Sequence, residues 1–218
     1  MKLSKAALFV STALFLLVPS QGNAQTDSNN SDPVVFVPPV MGSPGSRVGA
    51  GSRLAADENK TTILQLIAPK GGGLSASQSP RLYWRLKAPF DGTVNFALQV
   101  NGSEQPLVNR TTRLNETVGL QYVDLTALQI QIRDGQVYRW TITLTPQNSG
   151  KTVSATSFVE FRSLDIGGIK ISHTMLTSQE LAAKGYWYDI FKNLTADTPP
   201  NTRQLRLLEQ IGVFLEPQ

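Results

Sequence analysis

From Thr61 to Arg162, apolar and polar residues alternate in short runs separated by turn residues. That period of two marks strands with one buried face. Ile63–Ile67 is a brief apolar run, broken by Pro69 and Gly71–Gly73. In Arg81–Lys87, the residues Leu82, Trp84 and Leu86 share a face; in Thr93–Val100, Val94, Phe96, Leu98 and Val100 do. Pro89–Gly92 is expected to turn. Asn101-Gly102 is expected to close a hairpin, because both residues tolerate positive φ. Pro106–Arg113 and Gly119–Leu125 follow as strands, and Arg133–Gly135 as a turn. Val137–Thr145 directs Tyr138, Trp140, Ile142 and Leu144 inward. Val153–Arg162 does the same with Val153, Ala155, Val159 and Phe161. Seven short strands at this spacing predict a mainly β fold, an antiparallel immunoglobulin-like β-sandwich over 60–165. A partly closed barrel is the alternative.

After Gly167-Gly168 the period lengthens. Ser178–Lys184 is helix-like and stops at Gly185. In Tyr186–Thr195, Trp187, Ile190, Phe191 and Leu194 recur at helical spacing. Pro199-Pro200 separates these from Thr202–Leu215, where Leu205, Leu208, Ile211 and Leu215 form a stripe and Thr202 is the expected N-cap. Such short helices are not stable alone. A C-terminal α-helical hairpin over 166–218, packed on the sandwich, is therefore predicted.

The N-terminal end reads differently. Lys2 and Lys5 precede an uncharged apolar run, Ala6–Val18, and a Gly-Asn-Ala triplet ends at Ala24. This is the pattern of a secretory signal peptide over 1–24, with cleavage after Ala24. The run is too short to span a membrane comfortably, which takes about 20 residues. A periplasmic or secreted protein is expected, not a membrane-spanning one. Residues 25–59 are rich in Ser, Asn, Pro and Gly and read as a flexible tail. Within it, Val34–Val40 reads as a proline-bounded apolar stretch rather than a strand docked on a sheet edge.

Composition removes several chemistries. A hydrophobic content of 40% against 17% charged fits a folded domain. Without Lys2 and Lys5 the formal net charge falls from +4 to about +2, and no Lys/Arg run remains to track phosphates, so nucleic acid is not an expected partner. The chain has no cysteine, hence no thiol nucleophile, thiolate metal site or disulfide. His173 is the single histidine, so a multi-histidine metal site cannot form within one chain. Its place between the last strand and the first helix reads as a linker position. No cofactor and no catalytic residue are assigned.

Candidate sites remain. Tyr186, Trp187, Tyr188 and Asp189 combine three aromatic rings with a carboxylate, which suits capture of carbohydrate or peptide by stacking and hydrogen bonding. The competing account makes Trp187 the anchor of the helix on the sheet. Trp84 and Trp140 fall on apolar faces and read as core; Arg81, Arg85 and Arg139 read as outward. Asp124, Glu160, Asp165 and Asp189 are the carboxylates available for acid–base chemistry, since two placed carboxylates can hydrolyse a glycoside. Gly49-Ala-Gly51 between Arg47 and Arg53 offers backbone amides to an anion, or is simply the entry to the domain.

An ordered series of landmarks adds to this. Pro44–Arg53 is followed by Leu64–Pro69, Gly73–Pro80, Leu82-Tyr-Trp-Arg-Leu86, Val137-Tyr-Arg-Trp140, Val159-Glu-Phe-Arg162, Leu181–Asp189 and Leu208–Val213. Their order resembles the exported bacterial family called domain of unknown function 928, from about Arg47 to Leu215. Members of that family often carry a cysteine after the Gly-rich stretch, where this chain has Ala55 and Ala56. The resemblance implies no reaction. The expectation is an exported, non-enzymatic binding protein of the envelope or extracellular space, with an envelope protein or glycan as partner. A carboxylate-dependent hydrolase of cell-wall or extracellular glycan is the alternative.

Overall fold

A computed structural model describes residues 34–41, 63–116, 118–148, 150–166, 169–170, 172, 176–194 and 202–213. The fold is mainly β. Strands β1 (Leu64–Leu66), β3 (Arg81–Leu86) and β6 (Gly119–Asp124) form an antiparallel sheet in the order β1-β3-β6. Strands β2 (Gly73–Ser75), β4 (Phe90–Val100), β5 (Val108–Glu116), β7 (Val137–Pro146) and β8 (Val153–Phe161) form the second, in the order β2-β8-β7-β4-β5. A small ladder joins β9 (Asp165–Ile166) to β10 (Ile169–Lys170). Among the described residues, the helices α1 (Ser178–Ala183), α2 (Trp187–Leu194) and α3 (Thr202–Gln210) follow.

The alternating pattern lands where the period predicts. Trp140, Ile142 and Leu144 of β7 are fully buried, as are Leu82 and Leu86 of β3 and Leu98 of β4. Both sheets feed one hydrophobic cluster, and Leu181, Trp187, Ile190, Leu207 and Leu208 of the helices belong to it as well. The C-terminal segment is thus part of the core, because its apolar stripes have no other surface to bury against. Its described residues hold three helices rather than a hairpin of two. Thr177, not anticipated as a cap, closes the start of α1: its hydroxyl accepts from the Glu180 amide, while the Glu180 carboxylate accepts from the Thr177 amide.

Four local expectations are corrected. Pro89–Gly92 is not a free turn, since β4 begins at Phe90 and pairs Gly92 with Pro146. A Cβ at Gly92 would collide with the Thr145 carbonyl oxygen, so the close approach of β7 requires glycine there. Gly73 is not loop either. It opens β2, which runs parallel to β8 with Gly73 opposite Val159. The sheet is therefore not wholly antiparallel.

The last two corrections lie at opposite ends of the chain. Val34–Met41 is not merely a sticky stretch within a tail. Val34 and Phe36 are buried, and the Val37 amide donates to the Ala182 carbonyl at 3.0 Å. Thr202 is the first residue of α3 rather than its cap. The cleavage position at Ala24, Gly49–Gly51 and His173 lie outside the described residues.

Candidate functional site

Tyr186, Trp187, Tyr188 and Asp189 are brought together at the start of α2, and all four are buried. Gly185, with φ of 81°, turns the chain from α1 into α2. Trp187 Nε1 donates to the Ile67 carbonyl at 3.0 Å. The Tyr188 hydroxyl accepts from Trp140 Nε1 at 2.9 Å and donates to the Phe158 carbonyl at 2.9 Å. Burial pushes the Tyr188 hydroxyl well above the usual tyrosine range, with the bonds to Trp140 and Ser157 opposing it. Asp189 Oδ2 accepts from the Ala76 amide at 2.7 Å. The cluster therefore ties α2 to β7, β8 and the segments flanking β2. Its rings face the core and offer no open stacking platform.

The aromatic contacts do not end at Trp187. Phe36 meets its ring edge-on at 5.2 Å, and Phe191 stacks on it at 5.7 Å. Phe191 meets Tyr83 at 4.9 Å, and Tyr83 lies 5.8 Å from Tyr122. Five rings thus lead from the N-terminal segment to Tyr122, which is 54% exposed. The register explains this end point. Across the β3–β6 pair, Arg81 faces Asp124, Tyr83 faces Tyr122 and Arg85 faces Leu120. These six residues share one face of the sheet. Phe191 covers it at Tyr83, and Leu120 and Tyr122 are left exposed.

The polar groups on that face are already ordered. Arg81 Nε donates to Asp124 Oδ2 at 2.8 Å, and the Arg81 guanidinium lies 4.9 Å from the centre of the Tyr122 ring. The bond to Asp124 raises the Arg81 pKa. Burial opposes ionisation of Asp124, but hydrogen bonds from Arg81 and Thr126 outweigh it and hold the carboxyl below its usual range. An exposed ring beside a fixed cation and a fixed carboxylate can stack on one face of a ligand while bonding to its edge.

The other carboxylates are dispersed. Asp165 is exposed on β9. Glu160 is 2% exposed, with Oε1 held by Arg162 at 3.0 Å (Nε) and 2.5 Å (Nη2) and Oε2 buried without a hydrogen-bond partner. Glu160 and Asp189 both act electrostatically on the Tyr186 hydroxyl, which burial pushes upward. Trp84 is buried, and so is Trp140. Among the described residues, no group of three or more His, Asp or Glu is placed to hold a metal ion. No described helix is long and apolar enough to cross a membrane.

Sequence reasoning missed Tyr122. In Gly119–Asp124, Leu120 and Tyr122 alternate with Gln121 and Val123, so either face could be the inner one. Only the pairing with Arg81 and Arg85 decides it. No curated protein matches the chain. The model of a family described as Domain of Unknown Function (DUF928) matches residues 48–216, and the chain belongs to that family.

Proposed function

We propose that the protein is an exported, non-enzymatic binding protein with an immunoglobulin-like sandwich as its frame, and that it engages an envelope or extracellular glycan through the β3–β6 face. The basic, apolar and small-residue pattern of 1–24 supports export. Two sheets that share one core support the sandwich. The observation that carries the binding reading is Tyr122: an exposed ring packed against Tyr83, with the guanidinium of the Asp124-paired Arg81 over it at 4.9 Å. A rigid, half-exposed aromatic loses little side-chain entropy when a sugar ring stacks on it. Arg81 and Asp124 then supply a donor and an acceptor for ring hydroxyls.

A second reading, the carboxylate-dependent glycan hydrolase, would rest on Glu160 and Asp189, which both act electrostatically on the Tyr186 hydroxyl. Both carboxylates are buried and engaged in structural bonds, so binding is the better account. Co-sedimentation of the purified protein with insoluble envelope glycan tests it. Wild type should pellet with the glycan, and Tyr122→Ala should leave a larger share in the supernatant at the same glycan concentration. Equal pelleting of both would remove the β3–β6 face from the account.

A further inference from the structure

β5 and β6 are end strands, each paired on one side only, β5 with β4 and β6 with β3. An open strand edge is a template for a further strand unless something blunts it. β5 is blunted. Its sequence, Val-Asn-Arg-Thr-Thr-Arg-Leu-Asn-Glu, carries two arginines, and Arg110 stands opposite the buried Phe96, on the core side of the sheet. An inward charge at an edge keeps other strands away. β6 has no such guard. Gly119–Asp124 holds no Lys, Arg or Pro, and its one charge, Asp124, is bonded to Arg81. Among the described residues, no backbone hydrogen bond reaches the second edge of residues 119–123. Leu120 and Tyr122 alternate along that edge at 44% and 54% exposure, and Val118 precedes them at 40%.

We propose that β6 pairs with β6 of a second copy, antiparallel about a two-fold axis, so that two three-stranded sheets become one of six strands. The register follows from the side chains. With Leu120 on the axis, Leu120 faces Leu120 and Val118 faces Tyr122 on both sides of it. An axis at Gln121 or Tyr122 sets Asp124 against Val118 or Leu120, and an axis at Gly119 sets Tyr122 against Glu116. Each of these opposes an apolar side chain to a carboxylate. A shift by half a step sets the outward face of one copy beside the inward face of the other.

Charge fits the same register. On the outward face, Arg85 is level with Leu120, and Lys87 continues the row toward Val118, while Asp124 lies at the other end of β6. Antiparallel pairing brings the acidic end of each β6 beside the basic end of the other copy. The two β3 strands stay three strand spacings, about 14 Å, apart. That exceeds the Debye length of about 8 Å at physiological salt, so repulsion between their arginines is screened. A six-residue edge from each copy falls short of the roughly 20–30 residues a side of a stable interface. The dimer is therefore weak, forming at micromolar concentration and above and dissociating on dilution.

Sedimentation equilibrium of the exported protein tests this without glycan, so association and glycan binding can fail separately. The average mass should rise from monomer to dimer between micromolar and millimolar concentration. Leu120→Lys sets two cations against each other on the axis and should weaken association about tenfold or more at unchanged Tm. Leu120→Ile should keep it. The chain has no cysteine, so an introduced one reports the register. Leu120→Cys should cross-link to itself with a short homobifunctional thiol reagent, and Thr112→Cys, at the middle of β5, should not. Monomers at every concentration would overturn the proposal. So would dimers that survive Leu120→Lys, or equal cross-linking of the two cysteine variants.

Discussion

Tyr188→Phe removes a single oxygen from the centre of the molecule and leaves the ring in place. The hydroxyl would lose the bond from Trp140 Nε1 and the bond to the Phe158 carbonyl, each 2.9 Å long. Trp140 is fully buried, so its indole N–H cannot turn to water. An orphaned buried donor or acceptor costs about 1–3 kcal/mol, and the variant should lose roughly 2–4 kcal/mol in all. No cavity larger than the oxygen is opened, so the loss measures hydrogen bonding rather than packing. Urea unfolding followed by tryptophan fluorescence gives the number, with an unchanged slope confirming that only stability has moved. Trp140→Phe removes the donor. Once it is gone the hydroxyl is worth less, and the double variant should be less destabilised than the two singles combined, by about 1–2 kcal/mol. A Tyr188→Phe loss below about 0.5 kcal/mol, or additivity of the two variants, would refute the assignment of this pair as the tie between α2 and the five-stranded sheet.

Gly73→Ala should cost about 1–3 kcal/mol, because its Cβ would lie 2.7 Å from that of Trp187; thermal melting checks this, and an unchanged Tm would mean that α2 can shift away from β2. Alkaline titration of stability tests burial of the tyrosines. The folded pKa of Tyr188 is raised above the ordinary 10.0, so its contribution is complete below pH 10.0 and is lost as pH climbs above that value. Tyr188→Phe should flatten this decline, and an equally steep decline in the variant would assign it to other groups. Mass spectrometry of the exported protein should find a chain starting at Gln25, and a mature chain that retains Met1–Val18 would contradict the signal-peptide reading.

The strands with strict alternation were legible in the sequence because the inward set of β7, Tyr138 to Leu144, depends only on a local period. What the sequence could not supply was partner identity. Gly73–Ser75 is three residues long, and it is a strand only because β8 lies beside it. The fate of Val34–Met41 rests on Gln210, a polar residue on α3 whose side chain accepts from the Phe36 amide and which no local pattern marks as a clamp. For Tyr186–Asp189, the density of aromatic and acidic groups marked four residues that the structure buries together. Their inward orientation followed from Ile67, Ala76 and Trp140, residues far away in sequence. The exposed ring lay instead at Tyr122, in a strand whose two faces look alike until the register against β3 is known.

The central claim is that the β3–β6 face binds glycan without cleaving it. Calorimetric titration of the protein with soluble fragments of envelope glycan, followed by chromatography of the recovered fragments, tests both halves at once. Wild type should bind saturably and return the fragments intact. Tyr122→Ala should bind about threefold to tenfold more weakly at unchanged Tm, the worth of one aromatic stacking contact. Unchanged affinity in Tyr122→Ala, or shortened fragments that disappear with Glu160→Gln, would contradict the account.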